Sequence, residues 1–269
     1  MSSARGEEGV TRRERRERTN EGLKARRRRL IVGIAIIAAV GIVASVAALD
    51  TAPLGNTGPD EEIGIGPSHL QTVTLPEVRQ LLSGIPQAGN VLGDPKAPVT
   101  LDYIGDLQSP SCREFMLGVL PALINHYVRK GKLMIRYRSE EATTREPAVF
   151  REQQEAALAA GQQGLMWYYV DLFYQTQGLE GSHYVTAAYL RGLARLVPGL
   201  DVAKWEAERR SSSMEALLEQ QGPLPVGNEF EGTPSFWIGR SGTELRPFRT
   251  DSLVEPTSFE DAIGRLAEH

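Results

Sequence analysis

Apolar and polar positions along the chain fall into blocks with different periods. Leu30 to Leu49 is apolar over 20 residues, with Ser45 its only polar member. At 1.5 Å per residue such a run spans about 30 Å, the thickness of a bilayer's hydrocarbon core. Leu75 to Leu82 has the make-up of a short helix. Val99 to Ile104 is apolar and β-branched enough for a buried strand, and Gly105-Asp106 breaks it. From Phe115 the apolar residues switch to helical spacing: Phe115, Val119, Leu123 and Tyr127, with Leu120, Ile124 and Val128 beside them. Pro121 lies inside this helix and is expected to kink it, because it has no N–H and crowds the preceding turn. Lys132 to Arg138 alternates as a second strand, so strand, helix and strand form a βαβ unit. Pro147 to about Gln221 reads as helical throughout. A strand follows Gly232-Thr233-Pro234, Glu244 to Phe248 closes the sheet, and Ser258 to Glu268 is the last helix.

The length of 269 residues suits one or two domains with a real core. The net charge of −4 hides an asymmetry. Residues 1–29 hold eleven Lys or Arg and five Glu, about +6, which leaves about −10 for the remainder. A basic tail before an acidic body argues against nucleic-acid binding by the body. Basic residues beside an apolar run keep that side cytoplasmic. The expected organisation is a cytoplasmic tail over 1–29 and a single transmembrane helix over 30–49. A Gly-, Pro- and acid-rich tether over 50–84 leads to an extracytoplasmic body over 85–269, with its helical part at about 147–221. The small residues at Ser45-Val-Ala47 would also suit a cleavage site, but the run is longer than a usual signal-peptide core and reads as an uncleaved anchor.

A single cysteine, Cys112, excludes an intrachain disulfide. It lies in Ser109-Pro110-Ser111-Cys112, at the start of the long helix. Free N–H groups and the positive dipole end there favour an anion, including a thiolate. Serine is a preferred N-cap and proline is favoured at the first helical position, so Ser109 and Pro110 are expected to start the helix. Ser111 and Glu114 have capping-box spacing. The four histidines, His69, His126, His183 and His269, lack metal-ligand spacing, and no metal or cofactor is expected. Nucleophile-elbow and phosphate-loop patterns are absent.

This frame resembles the DsbA-like branch of the thioredoxin fold, in which a strand leads into Cys-Pro-X-Cys at a helix start. Other segments match in order. Gly89-Asn-Val-Leu-Gly93-Asp-Pro-Lys-Ala-Pro98 is similar to that family's lead-in, and Trp167, Leu172 and Phe173 to the aromatic signature of its helical insert. Gly232-Thr233-Pro234 is similar to its Gly-Thr-Pro turn, whose proline is cis and faces the active-site cysteine. The resemblance covers roughly residues 85–269. It implies an α/β, thioredoxin-like fold with an inserted helical domain. It also implies that Ser109 stands where the attacking cysteine belongs and that Cys112 is the second, more buried one. Relatives bind substrate backbone at the residue before the cis-proline, here Thr233. The family's buried acid falls at Tyr103 in this register, with Asp102 next to it and, by strand alternation, on the opposite face.

Dithiol exchange needs one thiol to attack and another to resolve the mixed disulfide. A serine hydroxyl at position 109 cannot do the first. Three readings follow. The first is a membrane-tethered, degenerate member of the thiol-disulfide oxidoreductase family that holds an extended polypeptide beside Pro234, with Thr233, Pro110 and Ser111 at the contact. The second is a monothiol oxidoreductase that forms mixed disulfides through Cys112 with a partner cysteine or a small thiol. The third is a structural subunit of a bacterial envelope complex, held by its membrane helix.

Overall fold

The computed structural model of the chain describes residues 75–220 and 232–268. The basic tail, the apolar run Leu30–Leu49 and most of the tether lie outside these residues. Among the described residues no helix is long and apolar enough to cross a membrane. Helix α1 (Leu75–Leu82) comes first, followed by the short strands β1 (Gln87–Ala88) and β2 (Val91–Leu92). Strand β3 (Val99–Gly105) leads into α2 (Pro110–Gly118), α3 (Leu120–Leu123) and a π-helical turn (Ile124–Val128), and β4 (Leu133–Ser139) returns. The insert holds α4 (Pro147–Gly161), α5 (Met166–Gln175), α6 (Ala187–Leu196), α7 (Val202–Glu208) and α8 (Ser212–Gln220). Strands β5 (Ser235–Arg240) and β6 (Arg246–Phe248) and helix α9 (Thr257–Ala267) complete the body.

The sheet order is β1-β2-β4-β3-β5-β6. Strand β3 lies parallel to β4, from Val99 opposite Leu133 to Gly105 opposite Ser139. On its other side it runs antiparallel to β5, with Ile104 opposite Ser235 and Val99 opposite Arg240. Every residue of β3 is buried, as the unbroken apolar run requires of a central strand. Strand β4 alternates instead: Leu133, Ile135 and Tyr137 face the core, while Met134, Arg136 and Arg138 are partly exposed. Phe115 of α2 and Phe259 of α9 meet Phe236 of β5 at 4.7 and 4.9 Å between ring centroids, so both helices cover the same sheet face. At the rim, β6 pairs with β5 through Trp237 opposite Pro247.

Three local features differ from the sequence reading. Residues 87–92 form a hairpin rather than a plain lead-in. The expected kink at Pro121 is a break into three segments. Pro121 offers no N–H, the Val119 carbonyl accepts from both Ala122 and Leu123, and the chain resumes as α3 and then a wider π turn. The region after Pro147 is not helical throughout. Residues 176–186 are irregular because the Tyr184 ring folds onto Gly178, where a Cβ would come within 2.6 Å of it, and His183 takes φ +52°. Thr186 restarts the helix by accepting from Tyr189 N at 3.1 Å.

Asp171 of α5 is buried, and Gln175 Nε2 donates to its carboxylate at 3.4 Å. Burial, opposed by that amide and reinforced by Glu77 of α1, pushes its carboxyl up to about 7 from 3.8. The folded state therefore prefers the protonated form. No cost is present below pH 4. It grows from pH 4 to 7, where it reaches on the order of 4 kcal/mol. Urea denaturation should show stability falling over this range as pH rises, and Asp171→Asn should flatten that segment of the profile. An unchanged pH slope in the variant would sink the assignment.

Candidate functional site

Strand β3 ends at Gly105, and a four-residue turn, Asp106 to Ser109, delivers the chain to α2. Ser109 is the N-cap as expected: its backbone is extended (φ −74°, ψ 122°) and its Oγ accepts from Cys112 N at 3.3 Å. Pro110 follows as the first helical residue. The Ser111–Glu114 capping box is not formed, because Ser111 already lies inside the helix and Ser109 has taken the capping role.

Cys112 is a free thiol with 0% exposure. Its position near a helix N-terminus favours a thiolate, yet burial pushes the thiol up. The polar groups of Ser109, the Asp106 backbone, Tyr103 and Thr233 around it oppose that rise without reversing it. Alkylation of Cys112 is accordingly expected to be slow at every pH short of unfolding and fast once the chain is denatured. Rapid labelling of the native protein would contradict this burial.

Behind the thiol stands Tyr103, on the position where the resemblance places an acid. Its hydroxyl meets that of Tyr174 at 2.9 Å, and Tyr174 donates to the Asp106 carbonyl at 3.1 Å. Gly105 makes this possible, since a Cβ there would lie 2.7 Å from the Tyr103 hydroxyl. Both phenols are pushed well up by burial and stay neutral. Asp102 points to the other face of the sheet. There Arg136 grips it through Nε at 2.6 Å and a second nitrogen at 2.9 Å, with Arg138 at 3.7 Å. No carboxylate on β3 therefore faces the thiol.

The turn itself is held from outside, by residues the sequence reading missed. The buried Asp106 carboxylate accepts from six donors. These are Gln108 N, Ala142 N, Thr143 N, Thr144 N, Thr144 Oγ1 and Gln153 Nε2, at 2.6 to 3.3 Å. Gln177 of the insert donates its Nε2 to the carbonyls of Leu107 (2.9 Å) and Ser109 (3.1 Å). Arg113 Nε reaches the Tyr174 carbonyl at 3.0 Å. The only sequence signal for these contacts is the presence of amide and acid side chains at positions that turned out buried, and it does not name their partners.

The Thr233–Pro234 peptide bond is cis. Ser109 Oγ donates to the Thr233 carbonyl at a long 3.4 Å, which ties the helix start to this loop. Beside them opens a cleft of about 480 Å³, lined by Thr233, Pro234, Phe236 and Trp237 on one wall and by Pro247, Phe248 and residues 249–253 on the other. Pro110, Ser111 and Cys112 do not line it. Among the described residues no group of His, Cys, Asp and Glu is placed to hold a metal ion. His126 pairs with Glu260 at 2.7 Å and His183 with Glu146 at 2.8 Å.

A family profile described as thioredoxin matches residues 87–247, from the hairpin through the Asp106–Ser109 turn, the insert and the Gly-Thr-Pro strand. The chain belongs to the DsbA-like branch of the thioredoxin family. Its relatives include the probable disulfide bond formation protein D of Bacillus anthracis, 24% identical over 156 residues, which are 55% of this chain and 68% of that one. The protein of the same description from Bacillus cereus is 23% identical over the same shares. Among solved structures, oxidised BdbD from Bacillus subtilis superposes with a TM-score of 0.56 at 17% identity, over 70% of this chain and 99% of that one. Alpha-DsbA1 from Wolbachia pipientis gives 0.53 at 17%, over 71% and 96%. This DsbA-like chain thus shares their thioredoxin-like fold.

Proposed function

We propose that this chain is a membrane-anchored, extracytoplasmic DsbA-like protein that has left the dithiol cycle and binds an extended polypeptide segment beside Pro234. One observation carries the reading: a sealed thiol next to an open cleft. Cys112 has 0% exposure, while a space of about 480 Å³ opens against Thr233 and Pro234. Pro234, Pro247 and Phe248 give that space an apolar wall suited to a side chain, and the Thr233 carbonyl offers a backbone acceptor. The bond from Ser109 to that carbonyl is long enough to yield to a better donor. The same burial favours this reading over a monothiol cycle, which needs a reachable sulfur of lowered pKa. Relatives described as disulfide bond formation proteins support an oxidising compartment for the body. In this reading Leu30–Leu49 is the anchor and residues 1–29 are its cytoplasmic tail; the tether expected over 50–84 stops short of α1, whose buried Leu75, Val78 and Leu82 belong to the body.

The test is fluorescence anisotropy of a labelled, unfolded, cysteine-free polypeptide titrated with the full chain in lipid nanodiscs. Saturable binding is expected. Thr250→Trp, which fills the cleft, should weaken it by about tenfold or more, a change of roughly 1.4 kcal/mol. Cys112→Ala should leave it in place. Absence of binding, or binding that survives Thr250→Trp, would overturn the cleft as the site. Binding that vanishes with Cys112→Ala would return the sulfur to the centre of the mechanism.

A further inference from the structure

The two ends of the sheet differ in charge. One end carries the cleft: Gly105, Ser139 and Ser235 lie there, and Phe248 lines it. At the other end Val99 stands between Leu133 and Arg240. Three loops gather around it. Gly93 sits against Val128 and the Leu133 carbonyl, so closely that a Cβ would lie 2.9 Å from each. Ser241 donates its N–H to the Pro98 carbonyl at 2.9 Å, and its hydroxyl meets Thr100 Oγ1 at 2.7 Å. These loops bring Lys96, Arg129, Lys130, Lys132, Arg240 and Arg246 to one pole, against Asp94 and Glu244 alone among the acids of the same loops. Lys96, Lys130 and Lys132 are exposed, and none of them forms an ion pair among the described residues. Arg129 spends its guanidinium on the carbonyls of Leu81 and Ser83, neutral acceptors that leave its charge uncompensated.

We infer that this pole is a docking surface for the anionic phospholipid headgroups of the membrane. Resting on the anchored reading above, the inference adds which way the body faces. Beyond residue 29 the chain carries about −10. An anionic surface repels such a body everywhere except where cations cluster. Headgroup attraction acts within about a Debye length of 8–10 Å, so the basic pole is drawn against the surface. Strand β3 then stands the cleft off by its own length, seven residues or about 20 Å, and turns it toward the aqueous side.

The experiment uses the full chain in a Cys112→Ala background, in nanodiscs of phosphatidylcholine with or without phosphatidylglycerol. A fluorophore is attached at Thr243→Cys on the basic pole or at Glu255→Cys beyond the cleft. Quenching by lipids with a nitroxide on the headgroup reports proximity. The Thr243 label should be quenched when phosphatidylglycerol is present, released by salt, and largely released by combined Lys96→Glu, Lys130→Glu and Lys132→Glu. At about fivefold in equilibrium per lysine lost near the surface, the three amount to roughly a hundredfold, and the three added carboxylates deepen the loss. Lys204→Glu on the insert should change nothing, and the Glu255 label should stay bright. Equal quenching with and without phosphatidylglycerol, or quenching that survives the triple change, overturns the inference. Gel filtration of the same sample tests the anchor separately. A chain that elutes free of the discs refutes the anchor, and its label is then read against phosphatidylglycerol vesicles, where absence of quenching refutes the pole.

Discussion

Ser109→Cys is expected to turn a chain without dithiol chemistry into one that closes a disulfide to Cys112. The serine oxygen already lies 3.3 Å from the Cys112 amide nitrogen. Only Pro110-Ser111 separates the two positions. The new thiol would occupy the N-cap, where the helix dipole and free N–H groups favour a thiolate. With oxidised glutathione it attacks one sulfur and releases one glutathione as thiol. Cys112 then gives up its proton, attacks the mixed disulfide and releases the second glutathione. Counting free thiols in denaturant should find both lost in the variant, whereas the parent keeps its one. Reoxidation of a reduced model protein should rise from background to a measurable rate. Ser109→Ala is the control: it loses the cap at about 1 kcal/mol and gains no activity. If both thiols of the Ser109→Cys protein stay free in glutathione disulfide, the turn does not hold the two sulfurs within bonding reach.

Asp106→Asn should have the largest effect on stability. Six donors converge on this buried carboxylate. An amide replaces one acceptor oxygen with a further donor, so at least two of those N–H or O–H groups lose their partner in a dry site. Hydrogen bonds to a charged group contribute about 1.5–3 kcal/mol each, less than additively within one network. A net loss of about 3–5 kcal/mol is expected, a large share of a typical domain's total of 5–15. Urea midpoints and thermal unfolding measure it directly. Because the turn covers the thiol, native alkylation of Cys112 should speed up in the same variant at urea concentrations well below its midpoint. A variant as stable as the parent would mean that the network is replaceable.

The sequence made the order of elements readable because period and punctuation agree there. An unbroken apolar run marks β3, alternation marks β4, helical spacing marks the segment after Ser109, and Gly232-Thr233-Pro234 marks the entry to β5. Alternation on β3 also placed Asp102 away from the thiol and Tyr103 toward it. Three things were not readable. A hairpin of two-residue strands has too few positions to show a period. The irregular stretch of residues 176–186 lies among helix formers, and what ends the helix is a ring folding onto Gly178, a tertiary event. The clamp on the turn joins residues 36 to 70 positions apart, such as Asp106 with Ala142 and Gln177 with Leu107, so no local pattern announces it. The transmembrane expectation falls on Leu30–Leu49, outside the described residues.

Pro247 sits in the middle of the outermost strand, opposite Trp237. Without an N–H it cannot share in the exchange of bonds with β5, so its unbonded side faces outward. The outward edge of β6 then offers a carbonyl there and no N–H. At the far edge, β1 is two residues long. Among the described residues neither rim offers a long open edge, which protects the folded body from domain swapping and from growth into stacked sheets. In the proposed reading a guest chain enters end-on, at the cis-proline loop, and does not lengthen the sheet from its side.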